Sequence, residues 1–149
     1  MTQYQWIIAG DHAATELKDE LSDYLIQKGD SFLDVTGENT PDDDYPDFAD
    51  KLVKAMREHD GAQGILLCGS GIGISIRANR YSDMRAALVQ SPAEAKTARQ
   101  HNDANIICFG ERVVDTKAAK DSLDVFASEP FEGGRHQRRV EKLTSDIKE

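Results

Sequence analysis

The run Cys68-Gly69-Ser70-Gly71-Ile72-Gly73 sets a thiol at the head of a glycine-rich turn. Glycines at 69, 71 and 73 let successive backbone N–H groups converge on one point, and such a concavity binds anions. A thiol held there gains thiolate character from the same donors, and Ser70 adds a hydroxyl. The plain alternative is a tight strand-to-helix connection with an inert cysteine. Three other groups could share its work. Asp11-His12 pairs a carboxylate with an imidazole, which can hold a polar ligand or simply form a capped surface turn. His101-Asn102-Asp103 offers an imidazole, a side chain suited to proton transfer; helix-end capping is the competing reading. Arg135 and Arg139 stand four apart and share a helical face. Two guanidinium forks there suit a phosphate, although most charge runs are solvated faces.

Several sharper readings of the glycine-rich turn fail. A dinucleotide fingerprint needs G-x-G-x-x-G after the first strand, whereas here the third glycine comes one residue early and after the third strand. A Walker loop needs Gly-Lys-Ser/Thr, and no lysine occurs between Lys54 and Lys96. A thiol phosphatase of the low-molecular-weight type needs an arginine six residues after the cysteine; that position is Ile74, and Arg77 comes too late. A receiver domain needs an aspartate where Cys68 stands. Among weaker candidates, Asp42-Asp43-Asp44 lacks the alternating spacing of a calcium loop and reads as solvated. Cys108 reads as a small buried hydrophobe.

These residues need elements to position them. Trp6 to Ala9, Phe32 to Val35, Gly64 to Cys68, Met84 to Val89 and Asn105 to Gly110 read as five strands. Helical spacing separates them, through Leu17, Leu21 and Leu25, through Phe48, Leu52, Val53 and Met56, from Ile74 to Asn79, and through Ala95 and Ala98. Ala119, Leu123 and Phe126 mark another helix, and Val140, Leu143 and Ile147 give the tail from Phe131 to Glu149 a helical period. Apolar, non-alternating strands separated by helices predict a parallel sheet covered on both faces: a three-layer α/β/α Rossmann-like fold with a C-terminal helical tail. Ligands in such sheets bind outside the carboxyl ends of the strands, which selects Gly10-Asp11-His12, Cys68 to Gly73 and the loop after Phe109.

Composition sets bounds. With 149 residues, one domain spanning 1–149 is expected. Lys and Arg number 18 against 27 Asp and Glu, a net charge of −9, which speaks against nucleic acid or an anionic membrane as partner. No apolar run approaches the roughly 18–20 residues of a membrane span. The opening Met1 to Gln5 lacks the basic segment of a signal peptide. Two cysteines cannot build a disulfide framework, so a reducing cytoplasm is the simplest setting.

Taken together, Gly10-Asp11-His12, Tyr45-Pro46, Cys68 to Ser75, Ala78-Asn79, Arg99 to Asn105 and Gly133 to Gln137 resemble ribose-5-phosphate isomerase B, in a group that includes the galactose-6-phosphate isomerase subunits. The likeness runs in order along essentially the whole chain. It implies a five-stranded parallel sheet, assembly as a homodimer or a dimer of dimers with shared active sites, and interconversion of ribose 5-phosphate and ribulose 5-phosphate without cofactor or metal. By position, Cys68 matches the base that takes the C2 or C1 proton. His101 matches the residue that opens the furanose ring, with Asp11 assisting. Gly69, Ser70, Gly71, Ile72 and Gly73 match the anion hole for the enediolate. His12, Arg135 and Arg139 match phosphate ligands, and Asn102 and Arg112 match substrate contacts from the facing subunit.

Within the group, one branch replaces the cysteine by a glutamate in the glycine-rich loop. Here Cys68 is present and Ile74 occupies the glutamate position, as in the cysteine-dependent branch. The galactose-6-phosphate subunits lack the histidine that stands here as His101. Gly10 replaces a cysteine of some members, and Arg77 replaces a commonly small residue, with the pocket rim or an interface as its expected place. An isomerase of allose or galactose 6-phosphate is an alternative, since the clamp and anion hole would be unchanged. A non-catalytic sugar-phosphate binder would need the clamp but not Cys68, Ser70 and His101.

Overall fold

The computed structural model describes residues 3–147. The Met1-Thr2 start and the Lys148-Glu149 end of the tail lie outside the described residues. Five parallel strands form one sheet: β1 (Trp6–Gly10), β2 (Phe32–Asp34), β3 (Gln63–Cys68), β4 (Ala86–Leu88) and β5 (Ile106–Gly110), in the order β2-β1-β3-β5-β4. The helices are α1 (Thr15–Lys28), α2 (Tyr45–Glu58), α3 (Ile72–Ala78), α4 (Pro92–Asn102), α5 (Thr116–Ser128) and α6 (Arg135–Thr144). The expected three layers are therefore present.

The strand sequences explain the layering. In β1, Trp6 and Ile8 point to one face and Ile7 and Ala9 to the other, and all are fully buried. The same alternation holds in β3 and β5. Ile65, Leu67, Ile107 and Phe109 pack with α1, α4 and α5, while Leu66, Cys68, Ile106 and Cys108 pack with α2 and α3. Continuous apolar runs result because both faces are covered. Helix ends follow local chemistry. Gly29 adopts φ +79 and closes α1 by donating to Ile26 O and Leu25 O. Ser91 caps α4 by accepting from Glu94 N, with Pro92 in the first turn.

Two strands are shorter than their sequence suggests. The β4 ladder covers only Ala86–Leu88, because the Arg85 N–H is taken by the Asn105 side chain at 2.8 Å. Val35 lies past the end of β2, although its N–H still reaches Ile8 O at 3.0 Å. Both are edge strands, and their residues are at most half-buried. In the tail, Val140 is buried against the body, Leu143 is exposed, and Ile147 lies beyond the last turn of α6. The helix read from Ile74 to Asn79 begins two residues earlier, at Ile72, and ends at Ala78. No helix among the described residues is long and apolar enough to cross a membrane.

The topology places the site. The chain leaves β1 toward β2, then returns past β1 to β3 on its other flank. The two connections diverge, and a crevice opens between the carboxyl ends of β1 and β3. Asp11 and Cys68 stand on its two sides.

Candidate functional site

A cleft of about 530 Å³ lies in that crevice, lined by Asp11, His12, Tyr45, Cys68, Gly69, Ser70, Ile72, Gly73, Ile76 and Arg112. Cys68 is 4% exposed, and its Sγ accepts the Gly71 N–H at 3.1 Å. The turn that makes this possible requires glycine. Gly71 has φ +77, and a Cβ there would meet Leu88 Cδ1 at 2.6 Å and Gly110 N at 2.9 Å. Ser70 Oγ accepts the Ile72 N–H at 3.2 Å, which occupies the first amide of α3. Cys108 lies on the same face of the sheet; burial, with Cys68 nearby, pushes its thiol far up, in keeping with an inert core residue.

Across the crevice, the Asp11 N–H extends the β1–β3 ladder to Leu67 O, and its Oδ1 accepts from Ala13 N at 3.0 Å. Burial raises the Asp11 pKa, against the opposing pull of the Ala13 amide, His12 and Arg112. A carboxyl so placed holds a proton more readily than one in water. His12 Nδ1 meets Asp43 Oδ1 at 2.6 Å, and this hydrogen bond raises the imidazole's pKa. Burial works against the Asp43 charge, yet the His12 and Asn39 side chains and the His12 and Thr40 amides together hold Asp43 at about 2. Asp43 is thus a partner of His12, not the solvated loop residue its sequence context suggested. Asn39 completes the link by donating to both Gly10 O and Asp43 Oδ2.

Arg112 is a second correction. The resemblance assigned it to a facing subunit, but it lines the same chain's cleft. Its backbone N–H donates to Gly69 O at 3.0 Å, and its guanidinium covers Gly69 so closely that a Cβ there would lie 2.9 Å from Nη1. Of the two places expected for Arg77, the pocket rim is not where it stands. It forms a two-pronged pair with Asp50 on α2, at 2.8 and 3.0 Å, and does not line the cleft.

The remaining expected site residues form a separate group. His101 and Asn102 end α4, where Asp103 turns the chain at φ +47, the single non-glycine with positive φ among the described residues. Arg99 holds that turn through Asp103 Oδ1 at 3.0 Å and Ala104 O at 2.6 Å. Arg135 and Arg139 lie exposed on α6, and neither forms an ion pair among the described residues. His136, between them in sequence, turns inward and stacks on His101 at 4.2 Å with ring planes 12° apart. Burial, with His101 and Arg135 beside it, holds His136 below the ordinary imidazole value.

The two groups do not meet within one chain. Cys68 pairs with Gly110 at the carboxyl edge of the sheet, whereas Ile106, which follows His101 after a short turn, pairs with Gly64 at the amino edge. Four residue steps of strand, about 13 Å, separate those edges, and His101 lies beyond the far one. The buried His136 and the Asp43 partnership were not legible from residue type. Each depends on contacts between segments more than 30 positions apart, such as 12 with 43 and 101 with 136.

Among the described residues, two side-chain sets could approach a cation: Asp11, His12 and Asp43, and His101, Glu132 and His136. In the first, His12 and Asp43 already satisfy each other.

Comparison with known proteins gives a consistent result. The family described as Ribose/Galactose Isomerase matches residues 7–143. A Rickettsia conorii protein, named no more closely than as a sugar phosphate isomerase, is 44% identical over 143 residues, covering 96% of this chain and 99% of that protein. The crystal structure of a ribose 5-phosphate isomerase from Thermotoga maritima superposes with a TM-score of 0.89 at 44% identity, covering 96% of this chain and 99% of the other. Ribose-5-phosphate isomerase B from Mycoplasma genitalium, solved with bound ribulose 5-phosphate, gives a TM-score of 0.88 at 37% identity and covers 97% and 96%.

Proposed function

This chain belongs to the Ribose/Galactose Isomerase family, and we propose that it acts as a single-domain aldose–ketose isomerase that interconverts ribose 5-phosphate and ribulose 5-phosphate. The observation that carries this reading is the Cys68 thiol, with the Gly71 amide donating to its sulfur, at the wall of a cleft shared with Asp11, His12 and Arg112.

The chemistry follows from the reaction. An aldose with C1=O and a C2–H becomes a ketose by moving one proton from C2 to C1 and one from O2 to O1. Cys68, as thiolate, takes the C2 proton. The electron pair of that bond forms C1=C2 and pushes charge onto O1, giving an enediolate. The N–H groups of the 69–73 turn and the Ser70 hydroxyl stabilise that charge, which exists only after deprotonation; such donors favour the transition state over the substrate. The O2 proton passes to O1, the Cys68 thiol returns its proton to C1, and C2=O forms. Electrons balance within the sugar, so no external oxidant or reductant enters.

Ribose 5-phosphate is mostly a ring, and the ring must open first. His101 is the proposed proton donor to the ring oxygen, with Asp11 accepting the O1 proton. Since His101 and Cys68 lie at opposite sheet edges of one chain, the proposal requires that His101, Asn102, Arg135 and Arg139 of one copy complete the cleft of another. Ile72 and Ile76, exposed at 52% and 61% beside the cleft, offer apolar surface for that contact. Arg135, Arg139 and His12 would then hold the phosphate, and the overall negative chain makes such a local clamp necessary.

The test is a panel of ribose 5-phosphate, allose 6-phosphate and galactose 6-phosphate, assayed for ketose formation with a chelator present. Ribose 5-phosphate should be the best substrate, and Cys68→Ala should lower its turnover by roughly 10²–10⁴-fold with the fold intact. A higher kcat/KM for a hexose phosphate would transfer the assignment to the larger sugar; more than half of wild-type turnover in Cys68→Ala would remove the thiol from its role.

A further inference from the structure

The end of α4 and the start of α6 are pressed together, and Glu132 N donates to Gln100 O at 3.0 Å between them. His136 is 7% exposed, and its Nε2 is sealed from solvent without a hydrogen-bond partner. Buried polar atoms are almost always paired, so an orphaned imidazole nitrogen calls for a ligand. It faces Glu132 Oε1 at 3.5 Å, and His101 Nε2 lies 3.9 Å from that same oxygen.

We infer that His101, Glu132 and His136 form a binding site for one zinc ion, whose occupancy reversibly disables the isomerase by engaging His101. The inhibitory part rests on the ring-opening role proposed for His101; the binding part does not.

The geometry fits after a small adjustment. The three donor atoms lie within 4.8 Å of one another. With zinc–ligand bonds of about 2.0–2.1 Å, donors in a tetrahedral site stand about 3.3 Å apart. The Glu132 edges of 3.5 and 3.9 Å are close to that value. The stacked rings must tilt so that both Nε2 lone pairs aim at one point. His101 can do so, because its side chain is 41% exposed and no hydrogen bond holds its ring among the described residues. Two imidazoles and one carboxylate form a donor set suited to zinc rather than to calcium or magnesium, which demand oxygen. Three protein ligands leave a fourth position for water. Arg135 adjoins His136 and opposes a cation, so the ion is held reversibly. A zinc-bound imidazole nitrogen has committed the lone pair with which it would exchange a proton.

Zinc chloride titrated into the metal-free full-length protein, followed by calorimetry and by competition with a chromophoric chelator, should give one ion per chain. Ribose 5-phosphate isomerisation should fall in step with occupancy and return on adding EDTA. Glu132→Gln and His136→Asn should each weaken zinc binding at least tenfold and raise the half-inhibiting zinc concentration by the same factor. Cys68→Ala should keep the one-ion stoichiometry, which separates the site from a thiol. Thermal unfolding checks that His136→Asn folds; if it does not, Glu132→Gln alone decides. Undiminished binding in the folded variants, or loss of binding in Cys68→Ala, overturns the site. Binding through these ligands with unimpaired isomerisation overturns the inhibition and the assigned role of His101, while the site stands.

Discussion

His12 and Asp43 are joined twice: Asp43 Oδ1 lies 2.6 Å from His12 Nδ1 and also accepts the His12 backbone N–H at 3.1 Å. The pair fixes the ring at the wall of the cleft. It also fixes the charge, since Nδ1 donates when the ring is protonated and the carboxylate favours that form.

Asp43→Asn therefore should raise KM for ribose 5-phosphate roughly tenfold, the scale of one charge-assisted hydrogen bond, with less effect on kcat. Stability should change with a defined pH window. His12 has its folded pKa raised above the ordinary 6.5, so its contribution is complete below 6.5 and fades as pH rises through the raised value. Asp43 is lowered from 3.8 to about 2, so its contribution is present above 3.8 and fades as pH falls through about 2. The difference in unfolding temperature between wild type and Asp43→Asn should be widest between those ordinary values. A difference independent of pH would mean that the two residues are not electrostatically coupled.

Complementation addresses the separation of Cys68 from His101. Cys68→Ala and His101→Ala should each be nearly inactive alone. In a two-fold dimer with shared sites, each hybrid carries one site with both wild-type side chains. After equal mixing and subunit exchange, about a quarter of all sites are intact by random pairing, and activity should recover toward that fraction. Verified exchange without recovery would place both residues in one chain's reaction, contrary to the sheet geometry.

Ring opening has its own discriminator in erythrose 4-phosphate. Its 4-hydroxyl is esterified, so it forms no furanose ring. His101→Ala should lose far more activity, relative to wild type, on ribose 5-phosphate than on the tetrose phosphate. Equal losses on both would assign His101 to the proton transfer between carbons or to binding.

Arg135 and Arg139 are free of acidic partners among the described residues and stand on one exposed face of α6. A contact to the non-reacting phosphate is made equally in ground and transition states, so its loss raises KM more than it lowers kcat. Either Arg→Ala should cost about 10–150-fold in kcat/KM. Lysine should restore only part, because it presents a point charge instead of a fork. Slow isomerisation of free ribose should be nearly untouched; an equal loss there would exclude the phosphate as the group held.

Much of this arrangement was legible in the residues. The runs Trp6–Gly10, Gln63–Cys68 and Ile106–Gly110 announce buried parallel strands because both faces are apolar, and the glycines around Cys68 announce a turn with converging amides. The strand order was not legible, since parallel strands buried on both sides carry the same pattern whichever neighbour they take. Asp43 was hidden in an acidic loop: nothing local distinguishes it from Asp42 and Asp44, and only the fold brings it to His12. His136 was hidden in a basic cluster, where its burial depends on α6 docking against α4. Arg112 was misassigned because residue matching carries a role and not the chain that supplies it.

Two glycines of the same turn, Gly71 and Gly69, tolerate a side chain differently. Gly71→Ala asks a side chain to adopt φ +77, with its Cβ 2.6 Å from Leu88 Cδ1 and 2.9 Å from the backbone at Gly110 N and Phe109 C. Left-handed backbone alone costs roughly 1–2 kcal/mol for a residue with a Cβ, and backbone neighbours cannot step aside. At about 2–4 °C per kcal/mol for a chain of this size, unfolding should fall by at least several degrees. Gly69 has no such φ, and its Cβ would meet chiefly Arg112 Nη1 at 2.9 Å, the end of a flexible side chain. Gly69→Ala should therefore fold with an unfolding temperature close to wild type and instead push Arg112 off the cleft. Its kcat/KM should drop to about that of Arg112→Ala, and the double variant should be no worse than Arg112→Ala alone, because both changes remove the same interaction. Additive losses in that cycle would show that position 69 acts through its own backbone and not through Arg112.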